Sequence, residues 1–398
     1  MRARLLDISR SMSRIGLGPA TGIDRVERAY IRAFMDADAP ACFLARLAGG
    51  YALLDKAGMA RLWPVLQGKA LPGTPDIVAL LSRKLGPAQR RAQADMRRAS
   101  FARCLRRGLA PMLARHMPRG FAYVNVGHSN RSAPVWAAMR KAGAGPRIAM
   151  LHDTIPLDWP QFSRSGLPER FAQELRFTAD GATGIICNSA DTAARAAHWL
   201  GRFSLEAPLH VAPLGCDALA SPRGAPITTT PAEFVVLGTI EPRKNHALLL
   251  DVWDRLAAKP DAPQLHIIGR RGWCNDALFA RLDAAIKAGQ PVFEHGALED
   301  AALATRLARA RALLFPSFAE GFGYPLVEAL QMSVPVLCSD LPVFHELAGA
   351  HVTYLPADSP QAWLDAITAA SHTPPKAPAK FDFPGWDSHF SFIDDLLS

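Results

Sequence analysis

The segment PSFAEGFGYPLVE, from Pro316 to Glu328, combines two carboxylates with a glycine-rich turn. It follows an apolar run and opens a helical pattern, so Glu320 is expected in a loop and Glu328 about one turn into the helix. A helix N-terminus favours oxygen-rich or anionic groups, and a carboxylate at Glu328 can accept a pair of sugar hydroxyls. Gly321, Phe322 and Gly323 follow Glu320, and the two glycines allow a ligand to approach the backbone NH groups of this segment closely. The same spacing also suits a helix-capping loop with a solvated glutamate.

A basic pair occupies the segment GTIEPRKNH, which begins at Gly238. A strand is expected to end at Gly238 and a helix to start near Asn245, so Arg243 and Lys244 lie at the carboxyl end of the strand. The arginine fork and the lysine point charge together suit a diphosphate. The alternative is a plain basic helix start, which the helix dipole disfavours.

Two further segments carry candidate site residues. In MLHDTIPLDWP, His152 and Asp153 come directly after a strand. A lone loop histidine usually bonds a carbonyl, but one that faces the motifs above across a cleft would contact the ligand. Residues 125–129 (NVGHS) end the preceding strand and could line the acceptor side. Ser189 is equally well explained as a helix N-cap.

The N-terminal loop SRIGLGPATGIDRVE has glycines at Gly16, Gly18 and Gly22, followed by a helix. Its NH groups could form an anion-binding nest; the alternative is an ordinary connector. The spacing is not GxGxxG, so dinucleotide binding is not indicated. Asp24 and Arg25 are either site residues or a helix-start pair.

Apolar strands alternate with helical patterns in both halves of the chain, which predicts parallel sheets covered on both faces. The predicted strands are 122–126, 147–151, 184–187, 209–214, 234–239, 264–268, 292–294, 312–315, 334–338 and 352–354. We therefore expect an α/β protein with two Rossmann-like, doubly wound domains at 1–217 and 232–373, facing each other across a cleft. A Pro/Ser/Thr/Gly-rich linker is predicted at 218–231, and residues 374–398 form a connector and a helix that packs back on the first domain. Such sheets bind ligands at the carboxyl ends of their strands.

The motif GTIEPRKNH, followed some seventy residues later by PSFAEGFGYPLVEAL, resembles the retaining glycosyltransferases of family 4, which have the GT-B fold. The resemblance covers about 234–370 well and the first half less tightly. It implies that Arg243 and Lys244 bind the diphosphate of a nucleotide-sugar and that Glu328 binds its ribose. No metal or other cofactor is implied.

The same resemblance assigns the remaining candidates. Glu320 and the loop after it, Gly321, Phe322 and Gly323, would contact the donor sugar, as would His152. Two turns would border the nucleotide base, one formed by Gly269 and Arg270 and the other by His295 and Gly296. The loop with Gly16, Gly18 and Gly22 would cover the diphosphate and the acceptor entrance, and Gly238 would line the donor site.

Composition excludes several protein classes. Apolar residues are 49% and charged residues 20% of the 398 positions, which fits a globular protein with a large core. No apolar run approaches the roughly 20 residues of a spanning helix, and the N-terminus lacks the apolar stretch of a secretory signal. The six cysteines form no CxxC pair, so neither a zinc site nor a disulfide framework is indicated, and a reducing cytoplasm is expected.

Charge is divided unevenly along the chain. Residues 1–150 carry a net charge of +18 and the remainder −9. Basic pairs recur every seven residues, at 83–84, 90–91 and 97–98, followed by Arg103, Arg106 and Arg107. From Pro87 onward the pairs would share one helix face, either as a solvated surface or as a contact with an anionic membrane leaflet.

Together with the resemblance, these observations predict a retaining transferase that moves a sugar to a saccharide or polyprenyl-linked acceptor in surface-polysaccharide synthesis. The resemblance favours GDP-mannose as the donor, and donors of the UDP-glucose type stay open. Its expected location is the cytoplasm, at the inner face of the plasma membrane if the arginines bind lipid. The alternatives are an epimerase or phosphorylase of related form, or an arginine-rich nucleic-acid-binding protein. The stripe lacks interleaved aromatic residues, which disfavours nucleic acid as a partner.

Overall fold

The computed structural model describes residues 1–18, 20–82, 85–217, 219, 231–273, 275–373 and 381–398. Two sheets form the framework. The first contains eight strands: β1 (Arg4–Asp7), β2 (Ala41–Arg46), β3 (Gly50–Leu54), β4 (Ala102–Leu105), β5 (Ala122–Asn125), β6 (Arg147–Leu151), β7 (Gly184–Cys187) and β8 (Leu209–Val211). The second contains six: β9 (Glu233–Leu237), β10 (Gln264–Ile268), β11 (Val292–Glu294), β12 (Ala312–Phe315), β13 (Val336–Ser339) and β14 (Thr353–Leu355).

Helices cover both faces of each sheet. Those of the first half are α1 (Ser9–Arg14), α2 (Gly22–Asp36), α3 (Lys56–Leu66), α4 (Ile77–Leu81), α5 (Pro87–Ala99), α6 (Leu109–His116), α7 (Ala133–Lys141), α8 (Ile155–Asp158), α9 (Leu167–Gly181) and α10 (Ala190–Arg202). Those of the second half are α11 (His246–Leu256), α12 (Asp276–Lys287), α13 (Asp300–Arg309), α14 (Tyr324–Gln331), α15 (Pro342–Ala348), α16 (Pro360–His372) and α17 (Trp386–Leu397). Among the helices described, none is both long and apolar enough to span a bilayer.

The strand orders are those of doubly wound folds. The second sheet runs β11-β10-β9-β12-β13-β14, and the first runs β4-β3-β2-β1-β5-β6-β7-β8. The chain adds its strands toward one edge of each sheet and then toward the other, and this change falls between β1 and β5 and between β9 and β12. Ligands of such sheets bind at these switch points. The expectation of purely parallel sheets is wrong at one edge, because β3 pairs antiparallel with both β2 and β4.

Apolar side chains from both faces of the strands build the cores. The second sheet buries Phe234 and Trp253 against each other, with Trp363 on the same face. In the first domain Trp136 packs edge-on against Tyr123. These cores are large enough to hold the loops at the strand ends in place.

The final helix, α17, packs on the first domain. Asp394 pairs with Arg4 at 2.7 Å, and the ring of His389 bonds both Tyr30 Oη at 2.8 Å and the carbonyl oxygen of Pro213 at 2.9 Å. The predicted linker at 218–231 lies outside the described residues except for Leu219 and Pro231, and most of the connector before α17 also lies outside them.

The arginine stripe is only partly exposed. Arg97, expected on the outer face, is buried and bonds Asp76 through Nε at 2.6 Å. This carboxylate also caps α4, so the arginine joins two helices instead of facing solvent. Arg91 and Arg98 are exposed as expected, and the pair at 83–84 lies outside the described residues.

Candidate active site

The two principal motifs meet at the switch point of the second sheet. Strands β9 and β12 are parallel neighbours, with Val236 opposite Leu314, so their carboxyl ends share one edge. The loop after β9 holds the basic pair, and the loop after β12 holds Glu320. Phe318 in the second loop donates its backbone NH to the carbonyl oxygen of Arg243 at 2.8 Å, which joins the two loops.

Local sequence explains how the basic pair is presented. Pro242 opens a 3₁₀ turn that ends at Lys244, and Asn245, with φ +55°, stops it before α11 starts. Gly238 has φ +127°, and a Cβ there would lie 3.2 Å from the stem of Lys244. Glycine therefore allows the lysine to fold back over the end of β9.

Arg243, Lys244 and Glu320 form one buried ionic network. Lys244 Nζ lies 2.5 Å from Glu320 Oε1, and Arg243 Nη1 lies 3.0 Å from Oε2 of the same carboxylate. Arg243 Nε also lies 2.5 Å from Oε1 of Glu241, which is itself buried. The carboxylate of Glu320 thus occupies the donors that would bind a diphosphate.

The electrostatics of this network favour its charged forms. Burial alone would raise the pKa of Glu320, but Arg243 and Lys244 outweigh it and hold this pKa at about 2. Burial would lower the pKa of Arg243, but Glu320, Glu241 and Asp153 raise it above its ordinary value. Burial lowers the pKa of Lys244, although Glu320 opposes that shift. Glu320 and Arg243 are therefore ionised at neutral pH.

Glu328 projects from α14 and meets Arg25 of the first domain. The two form an ion pair, and the guanidinium of Arg25 also lies 5.2 Å from the centre of the Tyr324 ring. The side chain of Glu328 is only 3% exposed, and burial raises its pKa even though Arg25 opposes that shift. Asp24, by contrast, completes a capping box with Thr21 at the start of α2.

The glycine loop lies against the second domain. Arg270 donates to the carbonyl oxygen of Leu17, and a Cβ on Gly18 would overlap the guanidinium of Arg270. Gly16 and Gly18 have φ +79° and +88°, which favour glycine. Gly22 approaches the ring of Tyr324, where a Cβ would lie at 3.4 Å. The loop thus joins the two predicted regions, the base-side turns and the helix that carries Glu328.

The turns expected beside the nucleotide base are neighbours. The NH of Gly269 donates to the carbonyl oxygen of Gly296 at 2.7 Å. His295 Nε2 lies 2.9 Å from Nδ1 of His266, a residue on β10 that the motifs did not indicate. Gly269 also lies so near Gly238 that a Cβ would overlap its carbonyl oxygen.

His152 is buried and its Nε2 lies 2.7 Å from the carbonyl oxygen of Val126. Burial lowers its pKa to about 3, so the ring is neutral at pH 7. Its backbone faces the second domain, because a Cβ on Gly321 would overlap the carbonyl oxygen of His152. Phe322 is buried, and Gly323, with φ +116°, precedes α14.

The two domains are closely apposed around these residues. The cavity between Glu320 and the first domain measures about 20 Å³, which is room for about one water molecule. Glu346 of α15 accepts from the NH of Ala190 at 2.8 Å, and Phe162 stacks on Phe318 with ring centres 5.4 Å apart. A nucleotide-sugar would therefore enter only if the domains separate.

Sequence reasoning missed three of these contacts. The sequence analysis assigned no role to Glu241, although it lies beside a proline and two basic residues. Arg25 could not be linked to Glu328 because they lie in different domains, and nothing in the sequence indicated Glu346. Among the described residues, no three His, Cys, Asp or Glu side chains gather where they could hold a metal ion.

The fold and this arrangement define a two-domain protein of the GT-B class. The structure of HepE from Anabaena, solved with UDP and glucose, superposes with a TM-score of 0.63 at 14% identity and covers all of this chain and 96% of that one. Residues 220–382 match the family described as "Glycosyl transferases group 1". The match covers the second domain, which is therefore similar to members of this family.

Curated relatives match parts of the chain. The serotype-specific mannosyltransferase WbdA of Escherichia coli is 35% identical over 247 residues, which are 58% of this chain and 30% of WbdA. The O-antigen chain mannosyltransferase B of the same species is 36% identical over 135 residues, 33% of this chain and 34% of that protein. The match thus spans about a third of the length of either relative.

Proposed function

We propose that this protein is a retaining glycosyltransferase that moves mannose from GDP-mannose to a saccharide or polyprenyl-linked acceptor. One observation carries the proposal: Arg243, Lys244 and Glu320 meet at the switch point of the second sheet, with Glu328 on the adjoining helix. The cations match a diphosphate and the carboxylates match sugar hydroxyls. The names of the two mannosyltransferase relatives favour mannose as the sugar.

In the proposed reaction, charge develops on the leaving diphosphate as its bond to the anomeric carbon breaks. Arg243 and Lys244 stabilise that charge, since preorganised cations in a buried site act without costly reorganisation. The acceptor hydroxyl attacks from the same face, and a leaving phosphate oxygen takes its proton. Glu320 orients the sugar, and no carboxylate nucleophile and no metal ion takes part.

Binding of the donor would exchange partners in the ionic network. At present Glu320 neutralises both cations, and the domains leave no space for a sugar beside it. When the domains open, the diphosphate takes over the donors of Arg243 and Lys244. Glu320 is then released to accept hydroxyls from the donor sugar, which explains why one carboxylate lies so near both cations.

A screen of nucleotide-sugars would test the donor. Thermal unfolding is followed with GDP-mannose, UDP-glucose and a dTDP-sugar, because a ligand that binds only the native state raises the midpoint. GDP-mannose should give the largest rise. An equal or larger rise with UDP-glucose would contradict the proposed donor.

The stereochemistry needs a second experiment. The product of transfer to a short mannoside acceptor is analysed by NMR, and the anomeric configuration of the donor should be kept. An inverted product would refute the same-face mechanism. An epimerised nucleotide-sugar formed without acceptor would refute transfer as the activity.

A further inference from the structure

Four large apolar side chains stand in solvent on the segment that precedes α5. Leu71, Ile77, Val78 and Leu80 are 89%, 77%, 56% and 58% exposed. We name these four the apolar ridge. Soluble proteins rarely expose large apolar side chains in such a group unless the surface binds something.

The apolar ridge is held in place by hydrogen bonds and an ion pair. Asp76 accepts from the NH of Ala79 at 2.8 Å and bonds Arg97 of α5. The NH of Gly73 donates to Asp95 Oδ2, and Arg98 donates to the carbonyl oxygen of Thr74, both at 2.7 Å. Exposure of the ridge is therefore a feature of the fold, since its flanking residues are fixed on α5.

Positive charge surrounds the ridge. Residues 69–107 contain ten Lys and Arg against two acids, and both acids pair with arginines. Arg91, Arg103, Arg106 and Arg107 are exposed and form no ion pair within the described part of the chain. Two more contacts place the turn after β4 beside α5, because Gln93 accepts from the NH of Ala48 and Arg106 donates to the carbonyl oxygen of Ala48.

This surface adjoins the entrance to the cleft. Gln89 of α5 donates to the carbonyl oxygen of Ser13 at 2.9 Å, and a Cβ on Gly16 would overlap Ala88. The glycine loop that contacts Arg270 thus rests on the same helix that carries the arginines. A molecule bound at the ridge would lie next to the first-domain side of the cleft.

We propose that the apolar ridge and its arginines dock on the surface of an anionic lipid bilayer. The four side chains insert at the level of the headgroups, and the arginines bind lipid phosphates; basic and apolar residues combine in this way on interfacial segments. A nucleic acid would match the arginines but leave the ridge unexplained. The inference rests on the proposed function only in that a lipid-linked acceptor gives the docking its purpose.

Co-sedimentation of the whole chain with vesicles tests the proposal. Phosphatidylcholine vesicles with about one third phosphatidylglycerol should bind the protein and pure phosphatidylcholine should bind it far less, since each basic residue near an anionic surface adds about fivefold in partitioning. Arg91→Gln, Arg103→Gln and Arg107→Gln together should therefore weaken binding about a hundredfold at low salt. Lys141, Lys259 and Lys287, all exposed, form the matched control and their change to Gln should have little effect.

A second variant tests the contribution of the apolar ridge to vesicle binding. Ile77→Gln, Val78→Gln and Leu80→Gln should weaken binding about tenfold or more at both low and high salt, because apolar insertion is not screened by ions. The control changes Val211, Ile286 and Phe392, which are exposed by 41%, 41% and 37%, to Gln.

Two results would overturn the proposal: wild-type vesicle binding by the ridge variant, or equal binding of the wild-type protein to duplex DNA and to vesicles. Thermal shift with GDP-mannose is measured in parallel. If GDP-mannose does not raise the unfolding midpoint of the wild-type protein, that result counts against the proposed function alone, because vesicle binding does not depend on the donor.

Discussion

Arg25 and Glu328 lie 303 residues apart and form an ion pair between the two domains. The carboxylate is buried on α14, and the arginine comes from the first turn of α2, directly after the glycine loop. Because Glu328 is the residue proposed to bind the ribose, the first domain directly influences the charge of a donor-binding group.

Replacing Arg25 by Gln should make nucleotide binding more dependent on pH. Burial already raises the pKa of Glu328 and Arg25 opposes that rise, so its loss raises the pKa further. At neutral pH a larger fraction of Glu328 is then protonated and cannot accept two hydroxyls. Calorimetry across a pH series should show that the variant binds GDP more weakly than the wild type at neutral pH. This loss should diminish as pH rises and Glu328 becomes ionised. Arg32→Gln, on the exposed side of the same helix, is the control; a pH-independent loss in Arg25→Gln would contradict the argument.

Glu328→Gln keeps the size of the side chain and removes its charge. We expect GDP to bind more weakly by about 1.5–3 kcal/mol, the usual worth of hydrogen bonds to a charged group. The affinity of the variant should stay the same across the pH range in which the wild-type affinity changes, so the loss should shrink as pH falls and Glu328 of the wild type is protonated. Wild-type affinity in this variant would place the ribose elsewhere.

Glu320→Gln should separate nucleotide binding from sugar transfer. The glutamine no longer neutralises Arg243 and Lys244, so the diphosphate has one carboxylate fewer to displace from them, and GDP affinity should rise about tenfold. Transfer should fall because the sugar loses its proposed orienting carboxylate. Glu346→Gln, which removes a carboxylate that bonds α10 instead, should leave GDP affinity unchanged. Weaker GDP binding in Glu320→Gln would refute the partner exchange.

The stability of the protein in acid should report the same network. The folded pKa of Glu320 is about 2, below its ordinary 4.5. Because the folded pKa is the lower one, ionised Glu320 stabilises the folded protein by about 3 kcal/mol at pH values above its ordinary pKa. That contribution is lost as pH falls from about 4.5 to about 2. The difference in unfolding free energy between wild type and Glu320→Gln should therefore shrink over this range. A constant difference would show that the carboxylate is not held by the two cations in solution.

Gly18→Ala should disturb the contact between the glycine loop and the second domain. The new Cβ would overlap the guanidinium of Arg270, and φ +88° is unfavourable for alanine. Gly68 is a matched control, because it has φ +77° but nothing within 4 Å of a Cβ. Both variants should lose about 1 kcal/mol of stability from backbone strain, but only Gly18→Ala should weaken GDP-mannose binding. Equal effects of both on donor binding would remove the loop from the site.

The second domain could be read closely from the sequence because its central strands, β9, β12 and β13, are fully buried. The run of β12 is continuous and apolar, and the predicted bounds of β10 and β12 agree with the structure. The first four strands were missed. β1 has only four residues and two of them are charged. β4 lies at the sheet edge and is only partly buried, so it has no continuous apolar run that would signal a strand.

Motifs predicted which residues form the candidate site but not how they are paired. The sequence suggested that Arg243, Lys244 and Glu320 share a site, because their loops end neighbouring strands. It left open whether Asp24 and Arg25 belong to the site or to the helix start. The structure separates them, since Asp24 caps α2 and Arg25 reaches Glu328. Such pairs depend on how the domains meet, which local patterns do not encode.

Helix α17 has a mechanical consequence. Arg2 donates to the carbonyl oxygen of Leu397, and Arg4 pairs with Asp394, so the first strand and the last helix are fastened to the same body. A load applied at either end of the described chain therefore bears on the first domain. Any separation of the two domains would therefore move the second domain against a body that holds both the first strand and the last helix.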